Sequence, residues 1–159
     1  MLFLAAFKSE FLVKRRQWRS IYVVFDEEER KEILRDTEKE GEERKENSLK
    51  LNCILLMKKR IEQEIKDLCK EAYVEIRYFL RAAVSNEARV FYLKMLGDTF
   101  RYLSQVTTGS SLIKIMKETD ERYLKAMAEA EALEHTNPLK LILCLNYSCF
   151  KYEIEQNFD

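Results

Sequence analysis

From Leu51 to Leu80, apolar residues recur every three or four positions: Met57, Ile61, Ile65, Leu68, Ala72, Ile76 and Phe79. That period places them on one stripe of a long helix, with charged residues on its other faces. Residues 2–25 read as an earlier helix. The run Val84-Ser85-Asn86 interrupts the pattern, and Ser85 or Asn86 supplies a cap for the next helix, at about 87–106. Thr108-Gly109 is a helix-stop signal. A further helix is predicted over about 110–133. Asn137 followed by Pro138 then gives a capping residue and a proline at the first helical position. The last helix, about 138–156, is apolar over much of its circumference, which predicts a place between neighbours.

Between the first two helices lies DEEERKEILRDTEKEGEERKEN (26–47), in which only Ile33 and Leu34 are apolar. It reads as a solvated helix rich in i,i+4 pairs, a linker, or both, broken at Gly41. We treat it as a charged connector at about 26–50. Five long helices with otherwise short connections predict an all-α fold, an antiparallel array forming a single helical domain over 1–159.

Composition agrees. Hydrophobic residues make up 47% of the 159, enough for a core, while three glycines and one proline leave few turns for a sheet. Lys plus Arg equals Asp plus Glu at 28 each. No global field therefore steers the chain to nucleic acid or membrane, and charge-based function has to come from local clusters. Lys14-Arg15-Arg16-Gln17-Trp18-Arg19 is one such cluster, but it is isolated on a neutral chain, and no nucleic-acid partner is expected. No apolar run approaches bilayer length, and MLFLAAF lacks the preceding charge and cleavage site of a signal peptide. No membrane partner is expected. Cys53, Cys69, Cys144 and Cys149 form no C-x-x-C pair, and His135 is the single histidine. No metal or cofactor is expected. The thiols read as small apolar packing groups in a reducing, cytoplasmic setting. His135 has no evident nucleophile partner, and no Gly-rich phosphate loop appears, so the chain is not expected to be an enzyme.

The chemistry that remains is cationic. Lys8 and Arg15 are seven residues apart, about 20° short of two helical turns, so both leave one face. Arg19 returns to that face. Lys94 and Arg101 repeat the spacing, with Asp98 between them and Tyr102 beside Arg101. If two such faces meet, they form a cradle for a phosphoryl group, which carries about −1.5 to −2 charge and three acceptor oxygens. Guanidiniums bind it bidentately, with a tyrosine hydroxyl as a further donor. Spacing alone does not bring the faces together, and each pair taken singly also reads as an ordinary solvated face.

Longer motifs add to this. F-K-S-E-F-L-V-K-R-R-Q-W-R (7–19) resembles the third helix of 14-3-3 proteins, with its Y-K-N-x-x-x-x-R-R-x-x-W-R pattern. R-V-F-Y-L-K-M-L-G-D-T-F-R-Y-L (89–103) is similar to the family's K-V-F-Y-x-K-M-K-G-D-Y-x-R-Y-L. T-N-P-L-K-L-I-L-C-L-N-Y-S-C-F-K-Y-E-I (136–154) resembles T-H-P-I-R-L-G-L-A-L-N-F-S-V-F-Y-Y-E-I. The resemblance implies a helical array with a concave groove whose basic pocket holds a phosphoserine or phosphothreonine segment. It implies Lys8, Arg15, Arg101 and Tyr102 as the phosphate site, with Lys94 as a further groove cation. Asn146 is implied to hold the ligand backbone, and Leu145 to form the apolar wall beside it. Supporting roles are implied for Arg19, Asp98 and Glu153.

The chain departs from the pattern at Leu96, where a groove lysine is common, at Lys151, where a tyrosine is common, and at Cys149, where a valine is common. The likeness runs from the family's third helix to its seventh. The first two helices, which help build the family's dimer interface, have no counterpart, which weakens the expectation of a homodimer. The function implied is that of a phosphorylation-dependent adaptor in signalling. The alternative is a helical scaffold that binds partners without phosphate, or a degenerate fragment of such a protein. Trp18 reads as a core anchor and Gly97 as a site of close helix packing.

Overall fold

A computed structural model of the chain describes residues 2–35 and 42–155, with side chains over 5–31 and 49–154. There are five helices: α1 (Leu2–Arg35), α2 (Glu42–Ala82), α3 (Asn86–Gln105), α4 (Ser110–Ala130) and α5 (Pro138–Phe150). A π-helical turn, Lys151–Glu155, continues α5. No strand occurs among the described residues, and the all-α expectation holds. No helix among them is long and apolar enough to cross a membrane. The chain divides into two compact units, Met1–Leu68 and Cys69–Asp159, and α2 contributes to both.

In the first unit, α1 runs ten residues past its expected end. The extension is polar and is supported along its own surface by Asp26–Arg30 at 3.0 Å and Glu28–Lys31 at 2.9 Å. Pairs at these spacings each add a few tenths of a kcal/mol to a helix. Much of the charged stretch is therefore helical, as 26–35 of α1 and 42–47 of α2. The break expected at Gly41 lies outside the described residues.

Contacts between α1 and α2 fall in reverse order along the two helices, so they are antiparallel. Lys14 meets Glu64 at 2.7 Å, the Trp18 indole N–H donates to Glu62 at 3.1 Å, and Lys58 lies over the Tyr22 and Phe25 rings. Near the far end, Lys50 reaches Glu28 at 3.1 Å. Among the described residues of this unit, the buried apolar groups are Phe7, Phe11 and Ile65. Met57, expected on the buried stripe, is 57% exposed. Trp18 is half-buried and held by a polar bond, so it anchors an ion-pairing seam and not a dry core.

The second unit has a continuous core of Val90, Leu93, Tyr123, Ala126, Ala130, Leu143 and Phe150. Each fully buried Leu or Phe side chain contributes about 1.5–3 kcal/mol of transfer free energy. The stripe on α2 supplies Ala72 and Ile76, and Cys69 beside it is buried as well. Phe79 stacks on Tyr92, and Tyr73 meets Phe100 edge-on, so α2 also runs antiparallel to α3.

Local capping starts the helices of this unit. The Ser85 hydroxyl accepts from the Ala88 N–H at 3.1 Å, and Asn137 Oδ1 accepts from the Leu139 N–H at 2.8 Å ahead of Pro138. Gly109, at φ 67°, enters α4, a backbone geometry that L side chains rarely adopt. Helices α3 and α4 pack against each other along much of their length. Their ends are clamped by a bidentate pair, Arg89 to Glu129 at 2.7 and 3.2 Å. Helix α5 is not enclosed as expected. It packs through Leu143 and Phe150 and leaves Leu141, Ile142 and Leu145 exposed.

Candidate functional site

The second unit gathers most of the implied residues around one carboxylate. Lys94, Asp98 and Arg101 follow each other at helical spacing on α3, so one face carries cation, anion, cation. Asp98 is the hub. Its Oδ2 accepts from Lys94 Nζ at 2.5 Å. Its Oδ1 accepts from the Tyr123 hydroxyl at 2.6 Å and from Asn146 Nδ2 at 2.7 Å, and lies 3.9 Å from Arg101 Nη2. Helices α3, α4 and α5 each contribute to it. A buried charge survives only when paired and hydrogen-bonded, and here every buried member has a partner. Lys94, Asp98 and Arg101 are 7%, 5% and 7% exposed.

Arg101 is oriented by two aromatic groups. Its Nε donates to the Tyr123 hydroxyl at 3.2 Å, and its guanidinium lies 4.7 Å over the Tyr102 ring. Burial opposes the charge, but the fields of Tyr123, Asp98 and Tyr102 outweigh it. The pKa of Arg101 is raised, and it stays a cation. Its Nη donors make no hydrogen bond to a described residue, which leaves them for a ligand or solvent. Tyr102 is itself buried beside Arg101. Asn146 spends its amide nitrogen on Asp98, while its carbonyl oxygen accepts from no described residue. Leu145, the next residue, is 62% exposed, an apolar surface beside that acceptor. Glu153 is exposed on the π-helical turn.

Sequence reasoning did not single out Tyr123. It is fully buried, and its ring lies against Gly97. A Cβ at position 97 would stand 2.7 Å from two of the ring carbons, closer than real Cβ contacts come. Gly97, read as a site of close packing, is what admits the ring. The signal in the sequence was the glycine, whose occupant α4 supplies. Leu96, where a groove lysine is common in the family, is buried at 1% exposure and serves as a packing group.

The first unit carries the other implied cations. Lys8 and Arg19 are exposed on α1, and Arg15 is half-buried. Lys14 and Trp18, from the same basic run, are committed to Glu64 and Glu62.

No cluster of three or more potential metal ligands occurs among the described residues. All four cysteines are free thiols. Cys69 fits the packing role, and burial pushes its pKa up to about 12. Cys53 does not fit it, being exposed.

Compared with known families, residues 1–159 match 14-3-3 protein. Among curated relatives, the chain is 34% identical over 151 residues to 14-3-3 protein homolog 2 of Schistosoma mansoni, covering 94% of this chain and 63% of that one. It is 32% identical to 14-3-3 protein beta/alpha of Homo sapiens and 31% identical to 14-3-3 protein beta/alpha-1 of Oncorhynchus mykiss. Both alignments cover 94% of this chain and 55% of the relative. The chain thus spans little more than half the length of the curated relatives it matches.

Proposed function

The chain belongs to the 14-3-3 protein family, and on that basis we propose that it is a non-enzymatic adaptor for protein segments carrying phosphoserine or phosphothreonine. The observation that carries this reading is the arrangement of Arg101. A permanent cation is fixed from behind by Tyr123 and Asp98 and flanked by Tyr102, and its Nη groups, one of them 3.9 Å from Asp98, donate no hydrogen bond to a described residue. A guanidinium so held suits bidentate pairing with a tetrahedral dianion. Asn146 presents a backbone acceptor and Leu145 an apolar contact, which suits an extended peptide. Lys8 and Arg15 enter as the additional cations that the family motif assigns. Lys94 is the second cation of α3, and Arg19 and Glu153 have supporting roles. Its setting is cytoplasmic signalling, with phosphorylated proteins as partners.

Each charge-assisted hydrogen bond contributes about 1.5–3 kcal/mol, and an unphosphorylated serine forgoes them. A phosphopeptide should therefore bind at least about 10-fold tighter than its dephosphorylated twin. Arg101→Glu and Arg15→Glu should each erase that difference. Calorimetry with the paired peptides tests it, and equal affinity for the two peptides rejects the reading.

A second reading, partner binding without phosphate, draws on the deep pairing of Lys94 and Arg101 with Asp98 and on the exposed leucines of α5. It predicts the equal affinities that the first forbids.

A further inference from the structure

The geometry points to Tyr123 as the residue that positions Arg101 for an anionic ligand, with Gly97 as the vacancy that lets it do so. The inference rests on the phosphopeptide reading and names a part of that site which neither motif nor spacing assigned.

A phenolic hydroxyl has one proton and two lone pairs. In Tyr123 the proton is committed to Asp98 Oδ1 at 2.6 Å, so a lone pair is left for Arg101 Nε at 3.2 Å. The carboxylate polarises the hydroxyl and makes its oxygen a better acceptor, as in any hydrogen-bonded chain at low dielectric. Nε is the guanidinium nitrogen nearest the side-chain stem. Fixing it sets the plane of the group and with it the positions of both Nη nitrogens. Asp98 by itself does less, since its approach to Arg101 is 3.9 Å.

Tyr123 in turn has little freedom to move. Its ring is 0% exposed, packs at 5.5 and 6.0 Å from the rings of Tyr147 and Phe150, and closes against Gly97. Burial, reinforced by Asp98, drives its pKa far above that of a free tyrosine, so it remains a neutral donor at any working pH. The phenol thus carries the rigidity of the core to a charge near the surface.

The test pairs Tyr123→Phe with Tyr147→Phe. The control removes the hydroxyl of a neighbouring core tyrosine that donates to Asp120 at 2.8 Å and does not touch Arg101. Affinities for a phosphopeptide and its unphosphorylated twin are measured in each, and again in an Arg101→Lys background, which lacks Nε. Tyr123→Phe should weaken phosphopeptide binding about 10-fold, leave the twin unchanged, and cost nothing further once residue 101 is lysine. Tyr147→Phe should leave the ratio of the two affinities as it was.

If the wild type discriminates but Tyr123→Phe keeps the full ratio, or loses it equally in both backgrounds, the positioning role is wrong and the phosphopeptide reading stands. If the wild type does not discriminate, that reading itself fails. Should Tyr123→Phe not fold, hydrogen exchange of the Arg101 Nε–H in the wild type decides. Slow exchange without ligand is expected, and exchange at the rate of a free arginine overturns the inference.

Discussion

Lys8 and Arg15 on α1 share their seven-residue spacing with Lys94 and Arg101 on α3, yet the two pairs meet opposite surroundings. In the first unit, Lys8 is exposed and Arg15 half-buried, on a helix that pairs with α2 largely through side-chain ion pairs. In the second, both cations are more than nine-tenths buried, with a carboxylate between them. Spacing decides which side chains share a helix face. What lies behind that face decides how far a charge is buried and whether a carboxylate holds it. Held cations lose less entropy on binding, and that preorganisation is where affinity is gained.

The largest effect should come from removing the anchor. Asp98→Ala leaves Lys94, Arg101, Tyr123 and Asn146 without their common acceptor in a buried setting. Breaking one partner of a buried ion pair costs about 3–5 kcal/mol. Urea unfolding should show a loss of that order, with phosphopeptide binding abolished. A loss below about 1 kcal/mol would mean that solvent reaches these cations and that the contrast between the two pairs is illusory.

Next comes the glycine. Gly97→Ala forces a methyl group into the Tyr123 ring, and overpacking of this kind costs about 1–3 kcal/mol. It should also weaken phosphopeptide binding by displacing the phenol from Arg101. Gly109→Ala, by contrast, meets open space and is strained only through its positive φ. That strain should cost about 1–3 kcal/mol of stability and leave affinity alone.

The thiols give the same contrast on a smaller scale. Cys53, in the first unit, is exposed, while Cys69, in the second, has its pKa raised by burial from 9.0 to about 12. The folded chain therefore keeps the Cys69 proton above pH 9, where the unfolded chain gives it up. Since the native state then binds more protons, stability falls as pH rises from about 9 toward 12. Cys69→Ala should flatten that part of the profile. Peptide mapping after iodoacetamide at neutral pH should show Cys53 alkylated quickly and Cys69 only at the rate of unfolding.

Much of the fold could be read from the sequence because its signals are local. The stripe on α2, the Ser85 and Asn137 caps and the Thr108-Gly109 break depend on residues a few positions apart. The extension of α1 to Arg35 is the solvated helix that the charged stretch allowed, but its continuity with α1 was not legible because a polar helix held by its own ion pairs also looks like a linker. Met57 was misplaced because a stripe marks a face but not which of its positions a neighbour covers: the next residue, Lys58, is the one that lies over the α1 rings. The face of α5 was misjudged for the same reason. In the site, motif likeness reached Lys94, Asp98, Arg101, Tyr102 and Asn146, and the structure brings these together. Tyr123 was out of reach, since an isolated tyrosine on an amphipathic helix reads as core. Its second role arises only where its hydroxyl meets residues 22 and 25 positions away.

The finest test of the comparison uses salt. Lys8 is exposed and forms no ion pair with a described residue, so Lys8→Ala should hardly move the urea midpoint. In the proposed function its contribution to phosphopeptide binding would be the attraction of a solvated charge, which falls off over a Debye length of about 10 Å at 0.1 M salt and about 3 Å at 1 M. Arg101 acts by contact from a site largely shielded from solvent, where screening is much weaker. Raising salt from 0.05 to about 0.5 M should therefore shrink the affinity lost in Lys8→Ala toward nothing. The loss in Arg101→Lys should stay nearly constant, because it reflects the missing Nε–Tyr123 bond and the missing planar fork and not net charge. Parallel titrations of the two variants at each salt concentration measure this. Equal decay of both losses would show that Arg101 works as a solvated charge, and that the network behind it stabilises the fold without shaping the site.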